Sequence, residues 1–158
     1  MGLKYKRATA GSDNHQLSAE PPGYNSRGGN EVFKRIDHVE IVPQDMGKTL
    51  DFYTNVLGFK LKQRQAGRPG SPWKEIVYLT LNDSMLEVLD AIDAAPLSPA
   101  SEQVGYRMMA LEVDDMDKAI EYLKGKGVEL SRPPMLLGKS KRAEIKDPNG
   151  LSIEIRQW

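Results

Sequence analysis

Apolar and polar positions follow two different periods along this chain, and the periods change in a repeating order. The pattern changes at Lys34, and up to Val42 the residues Val39 and Ile41 alternate with Ile36, His38, Glu40 and Val42, which predicts a strand with two different faces. Pro43 ends that strand and Asp45 is a suitable N-cap for a helix. The apolar residues that follow recur three or four positions apart up to Gly58, as in an amphipathic helix. The segment is therefore predicted to be a strand followed by a helix.

Three more strands complete this first unit. They are predicted at 59–65, 75–81 and 85–90, with a loop at 66–72 and a tight turn at Asn82-Asp83-Ser84. The order of elements in the unit is thus βαβββ. Before it, the segment 1–33 is polar and rich in Gly, Pro, Ser and Asn, which predicts a flexible N-terminal extension, and a solvated role is expected for His15 within it.

The same order of elements recurs about seventy residues later. The second unit is predicted to contain a strand at 106–113, a helix capped by Asp115, a short strand at 128–130, a loop at 132–140, and strands at 141–146 and 151–156 joined by the turn Asp147-Pro148-Asn149-Gly150. A shift of seventy positions places Asp45 on Asp115. The predicted fold class is therefore α+β, with βαβββ modules at 34–92 and 105–158 in a single domain, 34–158.

Composition excludes several kinds of function. Lys and Arg number 22 and Asp and Glu number 22, so no net charge favours nucleic acid or an acidic membrane surface. Cysteine is absent, so a metal site must use histidine, carboxylates or weaker ligands. The chain has neither an apolar run long enough for a membrane span nor a secretory signal, which predicts a cytoplasmic protein that does not bind membranes.

Strand alternation places one histidine and two glutamates on the sheet face that the helices do not cover. They are His38 on the first strand, Glu87 on the fourth and Glu154 on the last. One imidazole and two carboxylates are a suitable ligand set for Zn, Ni, Mn or Fe(II). The internal repeat makes Glu154 the counterpart of Glu87 and Met108 the counterpart of His38. The thioether of a methionine binds hard divalent ions poorly. The alternative is a structural histidine beside two solvated glutamates.

Four motifs carry a resemblance to a known family: HVEIVPQDMGKTLDFYTNVLGF, MLEVLD, MALEVDDMDKAIEYLKGKGVEL and DPNGLSIEIRQ. Together they resemble the vicinal oxygen chelate superfamily of glyoxalase I, bleomycin-resistance proteins and extradiol dioxygenases, over about residues 34–157. The resemblance implies an eight-stranded cup that holds one divalent metal ion. It also implies ligands at His38, Glu87, Met108 and Glu154, of which Met108 departs from the usual histidine. Such enzymes let the metal chelate adjacent oxygens of the substrate, and they often form homodimers.

Three functional hypotheses remain open from the sequence. The first is a metal-dependent lyase, isomerase or dioxygenase, in which His38, Glu87 and Glu154 hold the ion and one glutamate transfers a proton. The second is a metal-free module that binds an antibiotic or metabolite. The third is a structural subunit whose cup is filled by its own side chains. The substrate or ligand is expected to be a small molecule, and the predicted lining residues are Tyr106, Met108, Met85, Leu89 and Arg156.

Overall fold

The two sequence units fold as two modules with the same order of elements, and the computed structural model describes residues 35–98 and 104–158. The first module contains β1 (Val39–Ile41), α1 (Met46–Asp51), a π-helical segment (Phe52–Val56), β2 (Lys60–Ala66), β3 (Trp73–Leu81) and β4 (Ser84–Ala91). The second contains β5 (Met108–Glu112), α2 (Met116–Gly125), β6 (Leu130–Leu137), β7 (Ser140–Lys146) and β8 (Ser152–Gln157). The α+β class and the two βαβββ modules are confirmed. The predicted extension at 1–33, with His15, lies outside the described residues.

Each module forms one four-stranded sheet with the same strand order. The orders are β1-β4-β3-β2 and β5-β8-β7-β6, and in both sheets the first strand runs parallel to the last while the other pairs are antiparallel. Glu40 lies opposite Glu87 in the first sheet, and Ala110 lies opposite Glu154 in the second. Glu87 and Glu154 therefore occupy equivalent positions, which confirms the internal repeat.

Both helices begin where the sequence indicates, but the first ends differently. The Asp45 carboxylate accepts a hydrogen bond from the backbone N–H of Lys48 and caps α1. The predicted continuous α-helix up to Gly58 is wrong, because the chain widens into a π-helical segment after Asp51. This wider turn brings the consecutive residues Phe52 and Tyr53 into the core together. In the part of the chain that the structure describes, no helix has the length and apolar character of a membrane span.

The largest difference from the sequence prediction is at β6. The sequence predicts a short strand at 128–130 followed by a loop at 132–140. Both predictions are wrong, because one longer strand, β6, extends from Leu130 to Leu137. Within the described ranges β6 is an edge strand whose one partner is β7, so a residue without an N–H can face solvent there. The pairing with β7 also shifts in register between Arg132 and Met135, where Pro133 and Pro134 lie.

One hydrophobic core contains residues of both modules. Polar contacts link the modules beside this core: the Tyr53 hydroxyl donates to Asp147 Oδ2 at 3.3 Å, and the Tyr122 hydroxyl donates to the Val56 carbonyl at 2.9 Å. The buried residues of the hydrophobic core include Ile41, Phe52, Tyr53, Val77, Leu79, Leu86, Val88, Met116, Ile120, Leu123, Ile145, Ile153 and Ile155. Each sheet thus packs one face into the shared core, and the opposite face carries the charged residues described next.

Candidate metal centre

His38 lies immediately before β1, where two carboxylates approach its ring. The expected strand from Lys34 to Val42 is shorter than predicted, since only Val39–Ile41 pairs with β4, and His38 is therefore not in mid-strand. Its Nε2 atom lies 3.2 Å from Glu87 Oε2 and 3.4 Å from Glu40 Oε1. Glu40 shares the face of His38 because it is two residues further on, and the parallel pairing places it beside Glu87.

The other ring nitrogen of His38 is held by Asp37. Nδ1–H donates to Asp37 Oδ2 at 3.0 Å, and Arg35 Nη2 donates to the other oxygen of the same carboxylate at 2.8 Å. The hydrogen bond to Asp37 raises the pKa of His38 above its usual value, and the hydrogen bond with Glu40 and the charge of Glu87 act in the same direction, against the effect of burial. When the ring is protonated, Nε2–H donates to Glu40 at 3.4 Å, and when it is neutral with its proton on Nδ1, the Nε2 lone pair is free to bind a metal ion.

Glu87 is the buried member of the group. It is 7% exposed in the middle of the first sheet, and Tyr78 of β3 lies directly opposite it. Burial raises the pKa of Tyr78, and the charge of Glu87 and a side-chain hydrogen bond with it raise that pKa further. The Tyr78 phenol thus lies beside the Glu87 carboxylate, and Gln65 Nε2 donates to its hydroxyl oxygen at 3.3 Å.

The side chains of His38, Glu40 and Glu87 direct hydrogen-bond acceptor atoms toward one another. In a neutral His38 whose proton stays on Nδ1, in the hydrogen bond with Asp37, Nε2 presents only a lone pair to the two carboxylates. The ligand atoms of His38, Glu40 and Glu87 all lie within 4.8 Å of one another. Acceptors this close repel one another unless a proton or a metal cation lies among them. One imidazole nitrogen with two carboxylate oxygens fits a divalent metal ion, so these residues could hold the ion that the resemblance implies.

The second sheet carries the other predicted ligands in a different environment. Glu154 Oε2 lies 3.2 Å from Arg142 Nη2, and Glu154 Oε1 lies 3.0 Å from Arg156 Nη1. Met108, on β5, is half-buried, and its sulfur lies 3.1 Å from a guanidinium nitrogen of Arg107. The structure therefore brings His38 and Glu87 together and places Glu154 and Met108 on the other sheet, among arginines.

The predicted lining residues are divided between the sheets in the same way. Met85 and Leu89 lie on β4, with Leu89 buried and Met85 half-buried. Tyr106 is exposed just before β5, and Arg156 lies on β8. That these residues and Met108 surround one ligand stays a prediction.

Sequence reasoning overlooked three polar residues near these sites. Glu40 is absent from the ligands predicted from the sequence, although its spacing of two residues from His38 places it on the same face of a strand. Tyr78 and Glu144 lie opposite Glu87 and Glu154 on the neighbouring strands. Their positions depend on the pairing register, which the alternation of a single strand does not reveal.

Comparisons with known proteins agree with this fold. The profile of the Glyoxalase/Bleomycin resistance protein/Dioxygenase superfamily matches residues 35–155. The lactoylglutathione lyase of Neisseria meningitidis serogroup A is 34% identical over 127 residues, which cover 78% of this chain and 90% of the relative. The crystal structure of a glyoxalase family protein from Enterococcus faecalis has a TM-score of 0.70 and 27% identity, covering 78% of this chain and 98% of that chain.

An antibiotic-binding protein from Streptomyces, TnmS3, shares the fold, with a TM-score of 0.63 and 22% identity over 80% of this chain and 97% of that chain. The profile match spans both modules. These findings confirm the resemblance inferred from the motifs. The chain belongs to the glyoxalase/bleomycin resistance protein/dioxygenase superfamily, also called the vicinal oxygen chelate superfamily.

Proposed function

We propose that this protein is a glyoxalase-like enzyme that binds a divalent metal ion and acts as a lyase or isomerase on a small substrate with adjacent oxygen atoms. The observation that carries the proposal is the convergence of His38, Glu40 and Glu87, whose ligand atoms lie within 4.8 Å of one another. The similarity to a lactoylglutathione lyase supports the reaction class. The chemistry that such an ion supplies when bound is Lewis-acid polarisation of a substrate oxygen.

The neighbouring residues have distinct roles in this proposal. Asp37 orients His38 through Nδ1, and Tyr78 lies opposite Glu87 on the neighbouring strand. The Glu40 side chain is 54% exposed, so a substrate can approach the group from its side. Glu87 is then the proposed proton carrier at a substrate carbon next to a carbonyl group. Glu154, the other candidate for this role, reaches the group only if the polar face of the second sheet comes close to it.

We also propose that the protein works as a homodimer. Among the described residues, the ion pairs of the two polar faces stay within their own modules, with Glu87 paired to His38 and Glu154 paired to arginines. A second copy could present its Glu154 and Met108 to the His38 of the first. The expected cytoplasmic location stays a prediction.

Mixing two inactive variants tests the shared site. If His38 and Glu154 of different copies meet, a heterodimer of H38A and E154Q contains one intact site, and activity returns in the mixture. If both residues serve the same copy, each chain of the heterodimer is defective and the mixture stays inactive. Sedimentation analysis of the wild type reports whether a dimer exists at all.

The second candidate function is metal-free binding of a small molecule. Met108 favours it, since a flexible thioether stands where the family usually has a histidine ligand, and the arginines beside Glu154 already neutralise its charge. The antibiotic-binding protein TnmS3 shares the fold. In this case the His38 group would be a hydrogen-bonded cluster that contains a proton and holds no metal.

Metal content separates the two candidates. The full chain is purified without chelators, and bound metal is measured by mass spectrometry in the wild type, H38A and E87Q. E75Q is a matched control, because Glu75 is a glutamate of the same sheet that pairs with Arg64 at 2.7 Å. The enzyme proposal predicts about one metal ion per chain in the wild type and in E75Q, and little in the other two variants. A wild type that neither carries nor takes up a divalent ion contradicts the enzyme proposal.

A further inference from the structure

The polar face of the second sheet holds a network of arginines and glutamates. Arg142 Nη2 contacts Glu144 Oε1 closely and lies 3.2 Å from Glu154 Oε2. Arg132 Nε lies 3.3 Å from Glu144 Oε2, and Arg156 Nη1 lies 3.0 Å from Glu154 Oε1. Three guanidinium groups and two carboxylates leave a net charge of +1 (3 − 2) in this network.

The network is held in place by its buried members. Glu144 is 4% exposed, although it is a charged residue on a sheet face, and it is bound by two of the arginines. Trp158 stacks on the Arg156 guanidinium, with 4.5 Å from its central carbon to the ring centroid. The Arg142 and Arg156 side chains remain 21% and 15% exposed. These guanidinium groups are therefore pre-organised and still reach the surface of the face.

One donor of the network has no partner. The Arg156 Nε–H is buried, and among the described residues it makes no hydrogen bond. An unsatisfied buried donor is costly, and native structures rarely keep one without a reason. Nη1 is directed at Glu154, so Nε and Nη2 form the other edge of this guanidinium. Two oxygens of one group could bind there side by side once they displace the atoms that now cover Nε.

We infer that this arginine network binds an oxyanion group, a carboxylate or a phosphate, of the protein's small-molecule ligand. The excess positive charge and the unused donor match an acceptor with negative charge, whereas a purely structural network would leave neither. Glu144 and Glu154 act as positioning residues that hold the guanidinium groups. This inference names the substrate class, an anionic small molecule, and in that respect it rests on the proposed function.

A local signal in the wild-type full chain gives the first test. Inorganic phosphate and acetate are titrated separately at constant ionic strength, with chloride as the reference, and the Nε–H resonance of Arg156 is followed by NMR, assigned with the R156K variant. A saturable shift with one or both oxyanions supports the inference, and the stronger of the two identifies the group. A resonance that responds to both oxyanions no more than to chloride overturns it.

Variants give the second test. The affinity of the better oxyanion is expected to fall roughly ten- to a hundredfold in R156Q and R142Q, because a charge-assisted hydrogen bond to the ligand is lost. R64Q is the matched control, since Arg64 pairs with Glu75 on the other sheet at 2.7 Å, and its affinity should equal that of the wild type. Equal losses in all three variants would indicate non-specific charge and refute the site. If R156Q does not fold, the wild-type NMR titration decides alone.

The two proposals fail in different ways. The resonance of Arg156 reports on the second sheet, whereas metal content reports on His38 and Glu87 of the first. A metal-binding chain without oxyanion binding refutes only the arginine site. Oxyanion binding without metal refutes the enzyme proposal and favours a metal-free protein that binds an anionic molecule.

Discussion

Removing the acceptor that holds His38 tests the metal centre most directly. In D37A the Nδ1–H loses the carboxylate that it contacts at 3.0 Å, so both the tautomer and the ring orientation are freed. Replacing such a supporting partner usually weakens metal affinity about 10- to 100-fold. The Asp37 side chain is 61% exposed, so a water molecule can replace its oxygen as the acceptor for Nδ1–H. We therefore expect a loss of zinc affinity at the lower end of this range, roughly tenfold. D37N, which keeps an acceptor oxygen but loses the charge, should lie between D37A and the wild type.

The assay is a zinc titration in competition with a coloured chelator at pH 8. D93A serves as a control because Asp93 is another exposed aspartate and lies just after the first module. Metal binding requires a neutral imidazole, and Asp37 raises the pKa of His38, so protons compete more strongly in the wild type as the pH falls. The deficit of D37A should therefore shrink at pH 6. Wild-type affinity in D37A at pH 8, with binding abolished in H38A, would show that Asp37 does not support the site.

Three further predictions concern stability. The backbone hydrogen bonds at both helix N-caps lower the pKa of Asp45 and Asp115. The two ionised carboxylates therefore stabilise the folded protein above the usual carboxyl pKa, and this stabilisation is lost as the pH falls through the lowered pKa values. The D45S/D115S variant keeps capping oxygens that do not titrate, and its stability should fall less steeply below about pH 4 in acid unfolding curves. Y53F removes the hydroxyl that donates to a buried carboxylate at 3.3 Å and should cost about 1–2 kcal/mol in urea unfolding, while an unchanged midpoint would contradict that contact. A Cβ on Gly67 would lie 1.7 Å from a backbone carbonyl oxygen of β3, whereas a Cβ on Gly125 would meet nothing within 4 Å. Thermal unfolding should therefore show a lower Tm for G67A and an equal or higher Tm for G125A.

Much of the fold is predictable from short-range patterns. On β8, the alternation that directs Ile153 and Ile155 to one face agrees with their burial, and Glu154 lies on the other face. The turn Asp147-Pro148-Asn149-Gly150 is also where the sequence places it, and Gly150 adopts a positive φ of 85° that favours glycine. These features depend on residues next to one another in the chain, so local sequence is sufficient to predict them.

The errors share a cause in contacts between distant segments. The two prolines in 132–140 indicate a loop, but the segment forms a strand because it pairs with β7. The π-helical segment leaves no periodic signature, because the burial of Phe52 and Tyr53 depends on the second module. For the same reason, strand alternation could assign Glu154 to a face but could not show that Arg142 and Arg156 pair with it.

The prolines of β6 have a consequence for self-association. An edge strand with free N–H and C=O groups can accept another strand, and continued addition leads to aggregates. β6 exposes Met135, Leu136 and Leu137, which would make such pairing more favourable. Pro133 and Pro134 provide no N–H for an incoming strand, and the register shift beside them interrupts the pairing geometry. Replacing both prolines is therefore expected to convert a protected edge into a site of strand-to-strand aggregation.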